Sequence, residues 1–218
     1  MKTNYKIIGS IVAIILLTTG VITYCKHSEN QMGINGNANK VQSLTKKINK
    51  INDNSTMLYQ GNKKASNEIL FVYDYSCPWC KEWEAKIYPS VVKWIDQGKV
   101  KYRNQSMVYL DDTSLLLSNF DQNLKRYYPE QYFSINQKIM LDGYKEAENW
   151  GSIDYIKYII KEYNLDSSKV LSKPKQDAIS ITREYTKSLS IEGVPSLFIN
   201  GKQISNPFDL EEIKNNLD

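Results

Sequence analysis

Ile69-Leu70-Phe71-Val72-Tyr73 runs into Cys77-Pro78-Trp79-Cys80, and the reading of that junction decides the fold. A short apolar run bounded by polar residues is a buried strand, expected here over residues 69–75. The two cysteines then open a stretch of helical character, residues 81–97. A strand that feeds a CxxC at a helix start is the layout of a thiol–disulfide redox centre. With Cys77 as the first residue of the helix, backbone N–H groups and the positive dipole end favour its thiolate, leaving it the exposed nucleophile. Cys80 falls three residues on, on the same helical face, close enough to bond to it.

Working outward, Trp83, Ile87, Val91 and Trp94 carry helical periodicity. Pro89 should kink or divide that helix, because it has no N–H to offer residue 85. Gly98 ends it, and residues 100–110 read as the next strand, parallel to the first. Upstream, Leu58-Tyr59-Gln60 is a candidate edge strand before the turn-prone Gly61-Asn62. A long helical section follows the second strand: residues 114–127, a helix opened by Pro129, then 154–163 and 175–189. Their apolar stripes face a core and carry no chemistry. Strand returns at Ser196-Leu197-Phe198-Ile199, with Asn200-Gly201 as a two-residue hairpin turn and Lys202-Gln203-Ile204 as the return strand. Pro207 is read as the start of a terminal helix. The order is βαβ, a helical insertion at about residues 112–190, then ββα: an α/β fold in one domain, residues 57–218.

The first 56 residues belong elsewhere. Residues 7–24 are uncharged and mostly apolar, preceded by Lys2 and Lys6. That is the length and flank of a membrane-spanning or signal helix, about 17–25 residues. The basic flank puts the N-terminus in the cytoplasm and the remainder outside. Residues 1–24 are therefore read as an N-terminal anchor, with a cleaved signal or a lipoprotein modified at Cys25 as alternatives. Residues 25–56, rich in Asn, Lys, Ser and Gly, read as a polar tether. Val41, Leu44, Ile48 and Ile51 within it have helical spacing.

Charge narrows the partners. Residues 1–56 hold seven lysines and two acids, a net of +5, against +4 for the whole chain, which leaves the domain at about −1. The basic character sits on the anchor and tether, so nothing favours nucleic acid. The chain has three cysteines. The motif pair is the only plausible intradomain pair, and an outward-facing compartment lets it exist as a disulfide.

With strand–CPWC–helix at one end and Gly193-Val194-Pro195-Ser196-Leu197-Phe198-Ile199-Asn200-Gly201-Lys202 at the other, the chain resembles the DsbA-like family in its membrane-anchored Gram-positive branch. Asp74-Tyr75 just before the motif and the helical insertion match in order. The resemblance implies a thioredoxin-like fold, a cis Val194–Pro195 bond packed beside the cysteines, and Pro78, Trp79, Val194 and Pro195 as support for the catalytic Cys77 and Cys80. It implies no cofactor or metal beyond the redox-active disulfide. It also implies reduced or unfolded exported proteins as clients and a quinone-linked membrane thiol oxidoreductase as partner. Two departures stand out. Trp79 occupies the place where the most oxidising relatives carry histidine, and Phe71 stands where relatives often place a buried acid. Asp74 is then the nearest acid, either a proton-transfer group or a turn former.

Three readings follow. The first is an extracytoplasmic oxidase that introduces disulfides into exported proteins; Trp79 and Tyr75 would offer an apolar rim for them. The second is a reductase or isomerase on the same fold, since direction depends on a redox potential difference. The third is a non-enzymatic tethered chaperone or binding module, or a zinc site built from Cys25, His27, Cys77 and Cys80.

Overall fold

The computed structural model describes residues 58–217. The anchor (1–24), the tether (25–56) with its helical spacing, Cys25 and His27 lie outside them. Four strands form one sheet in the order β2-β1-β3-β4: β1 Asn67–Asp74, β2 Val100–Met107, β3 Ser196–Ile199 and β4 Lys202–Gln203. β1 and β2 are parallel, in register from Asn67 opposite Val100 to Asp74 opposite Met107. β3 is antiparallel to both β1 and β4. The candidate edge strand at 58–60 reduces to a single bridge, Gln60 with Tyr102.

β1 is buried along its whole length, so its alternation serves two faces. Ile69, Phe71 and Tyr73 join the larger core, with Trp83, Leu117 and Ile135. Leu70 and Val72 join a smaller one, with Ile181, Tyr185 and Phe198. A run apolar at every position is what a central strand covered on both sides requires.

The motif helix does divide. α1 spans Pro78–Lys86 and α2 Tyr88–Asp96, with the break at Ile87, just before Pro89. The insertion holds α3 Asp112–Tyr127, α4 Tyr132–Tyr144, α5 Ile153–Glu162, a one-turn α6 Ser167–Val170 and α7 Ala178–Leu189. Three expected starts are corrected, the first being the helix expected from 175, which begins at Ala178 because Asp177 accepts Ser180 N–H. Pro129 lies in the turn before α4 rather than opening it. The terminal helix α8 spans Leu210–Asn215, because Asp209 accepts the N–H groups of Glu211 and Glu212 and so fixes the N-terminus three residues into the expected helix. Asn200 and Gly201 have φ of 49° and 75°, the left-handed pair that the β3–β4 turn needs.

β2 is the surprise of the core. Arg103, Asn104, Gln105 and Ser106 are polar in sequence, yet all are buried. Each has a partner there. Arg103 pairs with Glu68, Nη2 to Oε1 2.6 Å, and the Asn104 side-chain amide donates to Asn136 Oδ1 at 2.7 Å. Ser106 donates to Asp121 at 2.9 Å. Asp121, fully buried on α3, also accepts from the hydroxyls of Tyr75 (2.8 Å) and Tyr132 (2.9 Å) and pairs with Lys125 at 3.2 Å. A buried charge is tolerable only with this degree of pairing. Burial holds the Lys125 ammonium below its usual range, with Asp121 opposing. Burial first, and Asp121 second, push the Tyr75 and Tyr132 hydroxyls well above theirs.

Candidate redox centre

β1 ends at Asp74, and the chain turns within two residues into α1. The turn closes through the Cys77 N–H, which donates to the Asp74 carbonyl at 3.1 Å. Cys77 is the N-cap residue, with extended φ −71° and ψ 117°, and Pro78 takes the first helical position, where no N–H is needed. Lys81 N–H donates to the Cys77 carbonyl at 3.2 Å and so begins the helix. Both thiols are free.

The two sulfurs titrate apart. Cys77 is lowered from 9.0 to about 7, chiefly by the hydrogen bond from the Cys80 thiol; burial opposes this, and the N–H groups of Cys80 and Trp79 add to it. Cys80 goes well above the ordinary thiol value, first because it is buried and then because it donates to Cys77. The helix start supplies what the sequence led us to expect, aligned N–H donors at the first cysteine.

Burial corrects one expectation. Cys77 was read as exposed, but it keeps only 5% of its surface, and Cys80 keeps none. Cys77 tucks against the 193–195 loop, its Sγ donating to the Val194 carbonyl at 3.7 Å. The Val194–Pro195 bond is cis, as the resemblance implied. Gly193 is exposed and Val194 and Pro195 are half-buried, so this loop lies between the Cys77 sulfur and solvent on one side.

Trp79 stands at the surface. It is 62% exposed and meets Phe208 edge-on at 6.3 Å. Tyr75 does not: it is fully buried, with its hydroxyl spent on Asp121. Phe71 stacks on Trp83 at 3.8 Å, so an aromatic plate replaces an acid under the motif. Trp83 in turn donates to the Pro207 carbonyl at 2.8 Å, pinning the loop before α8 against α1. On the other side Lys81 lies over Trp150 at 4.4 Å, tying α1 to the α4–α5 loop.

Asp74 is fully buried, and its carboxylate is occupied. Oδ1 accepts from Ser76 N–H (2.8 Å) and the Ser114 hydroxyl (2.5 Å), and Oδ2 from Tyr109 N–H (2.8 Å). Its charge is a minor cause that raises both thiols.

Glu84 escaped the sequence reading. It sits one turn beyond Cys80 on α1, buried, and burial alone raises it to about 8. The signal was its i+4 spacing from Cys80 on the face that also carries Cys77. Among the described residues no group of acids, cysteines and histidines could hold a metal. No helix among them is long and apolar enough to cross a membrane.

A family model described as thioredoxin matches residues 53–218. Disulfide bond formation protein D of Bacillus subtilis is 23% identical over 169 residues, covering 72% of this chain and 74% of that protein. Among solved structures, the thiol-disulfide exchange protein alpha-DsbA2 from Wolbachia pipientis superposes with a TM-score of 0.64 at 21% identity, over 84% of this chain and 96% of that one. Oxidised BdbD from Bacillus subtilis gives 0.55 at 20% identity, over 76% and 92%.

Proposed function

Because the chain belongs to the thioredoxin family and is a DsbA-like thiol–disulfide oxidoreductase, we propose that Cys77 and Cys80 are its reacting pair and that it runs as an oxidase on exported proteins. The observation that carries the pair is the split between two adjacent free thiols, one brought to about 7 and the other held high. The name of the Bacillus relative, disulfide bond formation protein D, supports the direction.

The cycle starts with the Cys77–Cys80 disulfide. A client thiolate attacks the Cys77 sulfur, which retains the only accessible surface of the pair. The S–S bond breaks, a client–Cys77 bond forms, and Cys80 leaves as a thiolate that then takes a proton. A second client thiolate attacks the client sulfur, and Cys77 leaves as its thiolate. The client loses two electrons to become a disulfide, and the enzyme gains two as a dithiol. A low pKa makes Cys77 the better leaving group in this second step. Trp79 is the face that meets an unfolded client, and the Val194 carbonyl stands beside the mixed disulfide. A quinone-linked membrane oxidoreductase would return the pair to the disulfide.

In this reading residues 1–24 anchor the protein as a single-pass segment, residues 25–56 are the tether, and residues 57–218 are the catalytic domain outside the cytoplasm. The apolar run flanked by lysines supports that placement.

One observation favours the reductase or isomerase reading. A first cysteine at about 7 matches thioredoxin, also about 7, and not the strongly oxidising relatives near 3.5. The equilibrium potential of the Cys77/Cys80 couple against glutathione separates the two. A value near about −120 mV supports the oxidase, and one near about −270 mV overturns it in favour of the reductase. Trapping of client mixed disulfides by Cys80→Ala tests the pair itself, and its failure would remove both enzyme readings of these residues.

A further inference from the structure

The acid just before the motif does more than shape a turn. A turn at the end of β1 would be satisfied by one bond, Ser76 N–H to Asp74 Oδ1 at 2.8 Å. Asp74 accepts two more, from segments remote in sequence: Tyr109 N–H in the β2–α3 loop and the Ser114 hydroxyl in the first turn of α3. All three donors are neutral, so the buried carboxylate is held by dipoles alone.

Ser76 makes a second link to the same helix. Its hydroxyl donates to Asp111 Oδ1 at 2.7 Å, and Asp111 caps α3 by accepting Ser114 N–H at 2.8 Å. Ser76, Asp74, Ser114 and Asp111 thus close a ring between the loop that delivers Cys77 and the start of the helical insertion. Ser114 has one hydroxyl proton and two carboxylates in reach, Asp74 at 2.5 Å and Asp111 at 3.1 Å, and the shorter contact takes it. Asp74 is also linked to Cys77, three residues on, whose N–H donates to the Asp74 carbonyl.

We propose that Asp74 is a positioning residue rather than a proton carrier: through Ser114 and Ser76 it lets the N-terminus of α3 fix the loop that places Cys77 against Val194. This rests on the reading of Cys77 and Cys80 as the reacting pair. It assigns the helical insertion a direct part in the redox centre through its first turn. Neither serine carries a charge, so a shift in Cys77 titration on removing a hydroxyl reports the loss of its hydrogen bond within the ring, to Asp74 or to Asp111.

The test uses the full-length reduced protein, wild type and Ser114→Ala, Ser114→Thr and Ser76→Ala, with thiolate absorbance followed against pH. Ser114→Ala should move the Cys77 midpoint upward by roughly half a unit or more, as the N–H and thiol donors around its sulfur lose alignment. Ser114→Thr keeps the hydroxyl and should restore it; Ser76→Ala should move it in the same direction by less. If Ser114→Ala fails to fold, Ser76→Ala decides alone, because Ser76 is half-exposed and outside the core. A folded Ser114→Ala and Ser76→Ala that both keep the wild-type midpoint would overturn the proposal. Disulfide exchange with a reduced test peptide is measured alongside. A shifted midpoint in a protein that exchanges no disulfides would keep the ring and discard the reacting-pair reading.

Discussion

Replacing Cys80 by alanine tests the electrostatics of the motif most directly. The Cys80 thiol is the largest single cause that brings Cys77 to about 7. The N–H groups of Cys80 and Trp79 remain in the variant, so part of the lowering survives. We expect the midpoint to rise by about one unit. At pH 7 the thiolate population then falls from about one half to about one tenth. Intrinsic nucleophilicity rises with basicity, with a slope of about 0.4–0.5, which returns roughly threefold. The rate of Cys77 with a small-molecule disulfide should therefore fall about twofold at pH 7 and rise about threefold at pH 10, the two profiles crossing between. Cys80→Ser retains a hydroxyl donor and should shift the midpoint by less than half as much. The assay is stopped-flow exchange from pH 5 to 10, with Cys25 also replaced by serine so that Cys77 is the one remaining thiol. An alanine variant that keeps its midpoint near 7 would refute the assignment of Cys80 as the donor, and profiles that never cross would refute the thiolate argument.

Further outcomes follow from the core. Glu84 is held at about 8 against an ordinary 4.5, so its contribution to stability is complete below about pH 4.5 and is lost as pH rises through 8. Glu84→Gln should match the wild type in urea unfolding at pH 4.5 and exceed it by a few kcal/mol at pH 8.5; equal stability at both would show that the side chain is not desolvated. A methyl at Gly143 would lie 2.5 Å from the Trp150 ring and 2.8 Å from Lys81 Cδ. Gly143→Ala should cost about 1–3 kcal/mol and move the Trp150 fluorescence, and an unchanged melting temperature would contradict that packing. Asp121→Asn leaves the Lys125 ammonium buried without its carboxylate and should cost about 3 kcal/mol or more in denaturant unfolding; a loss under about 0.5 kcal/mol would mean the pair is solvated.

The elements legible in the sequence were those whose local pattern has one physical solution. A short apolar run at 69–73, bounded by polar residues, pointed to a buried strand. Asn200-Gly201 could only be a tight hairpin turn, and Pro89 could only interrupt a helix. The spacing of Cys77 and Cys80 already placed two sulfurs on one face of a helix start. Helix starts were less legible, because Pro129 and Pro207 are as compatible with the turn before a helix as with its first position. The aspartate cap at 209, a side-chain choice, settled where α8 begins.

The tertiary fold decided which polar residues are inside. Arg103, Asn104, Ser106, Asp121 and Lys125 look like solvated faces when read along the chain, because burial of a polar group depends on partners far away in sequence. Tyr75 moved from a supposed rim to the core for the same reason: its hydroxyl has a carboxylate waiting 46 residues on. The covering of Cys77 by the 193–195 loop, and the ring that joins Asp74 to Ser114, likewise exist only once distant segments meet. Residue type and spacing determined the chemistry available here, two thiols at a helix N-terminus. Only the packing of remote segments determined how far those thiols titrate apart and how little of Cys77 meets solvent, since desolvation and hydrogen-bond alignment are properties of a neighbourhood and not of a string.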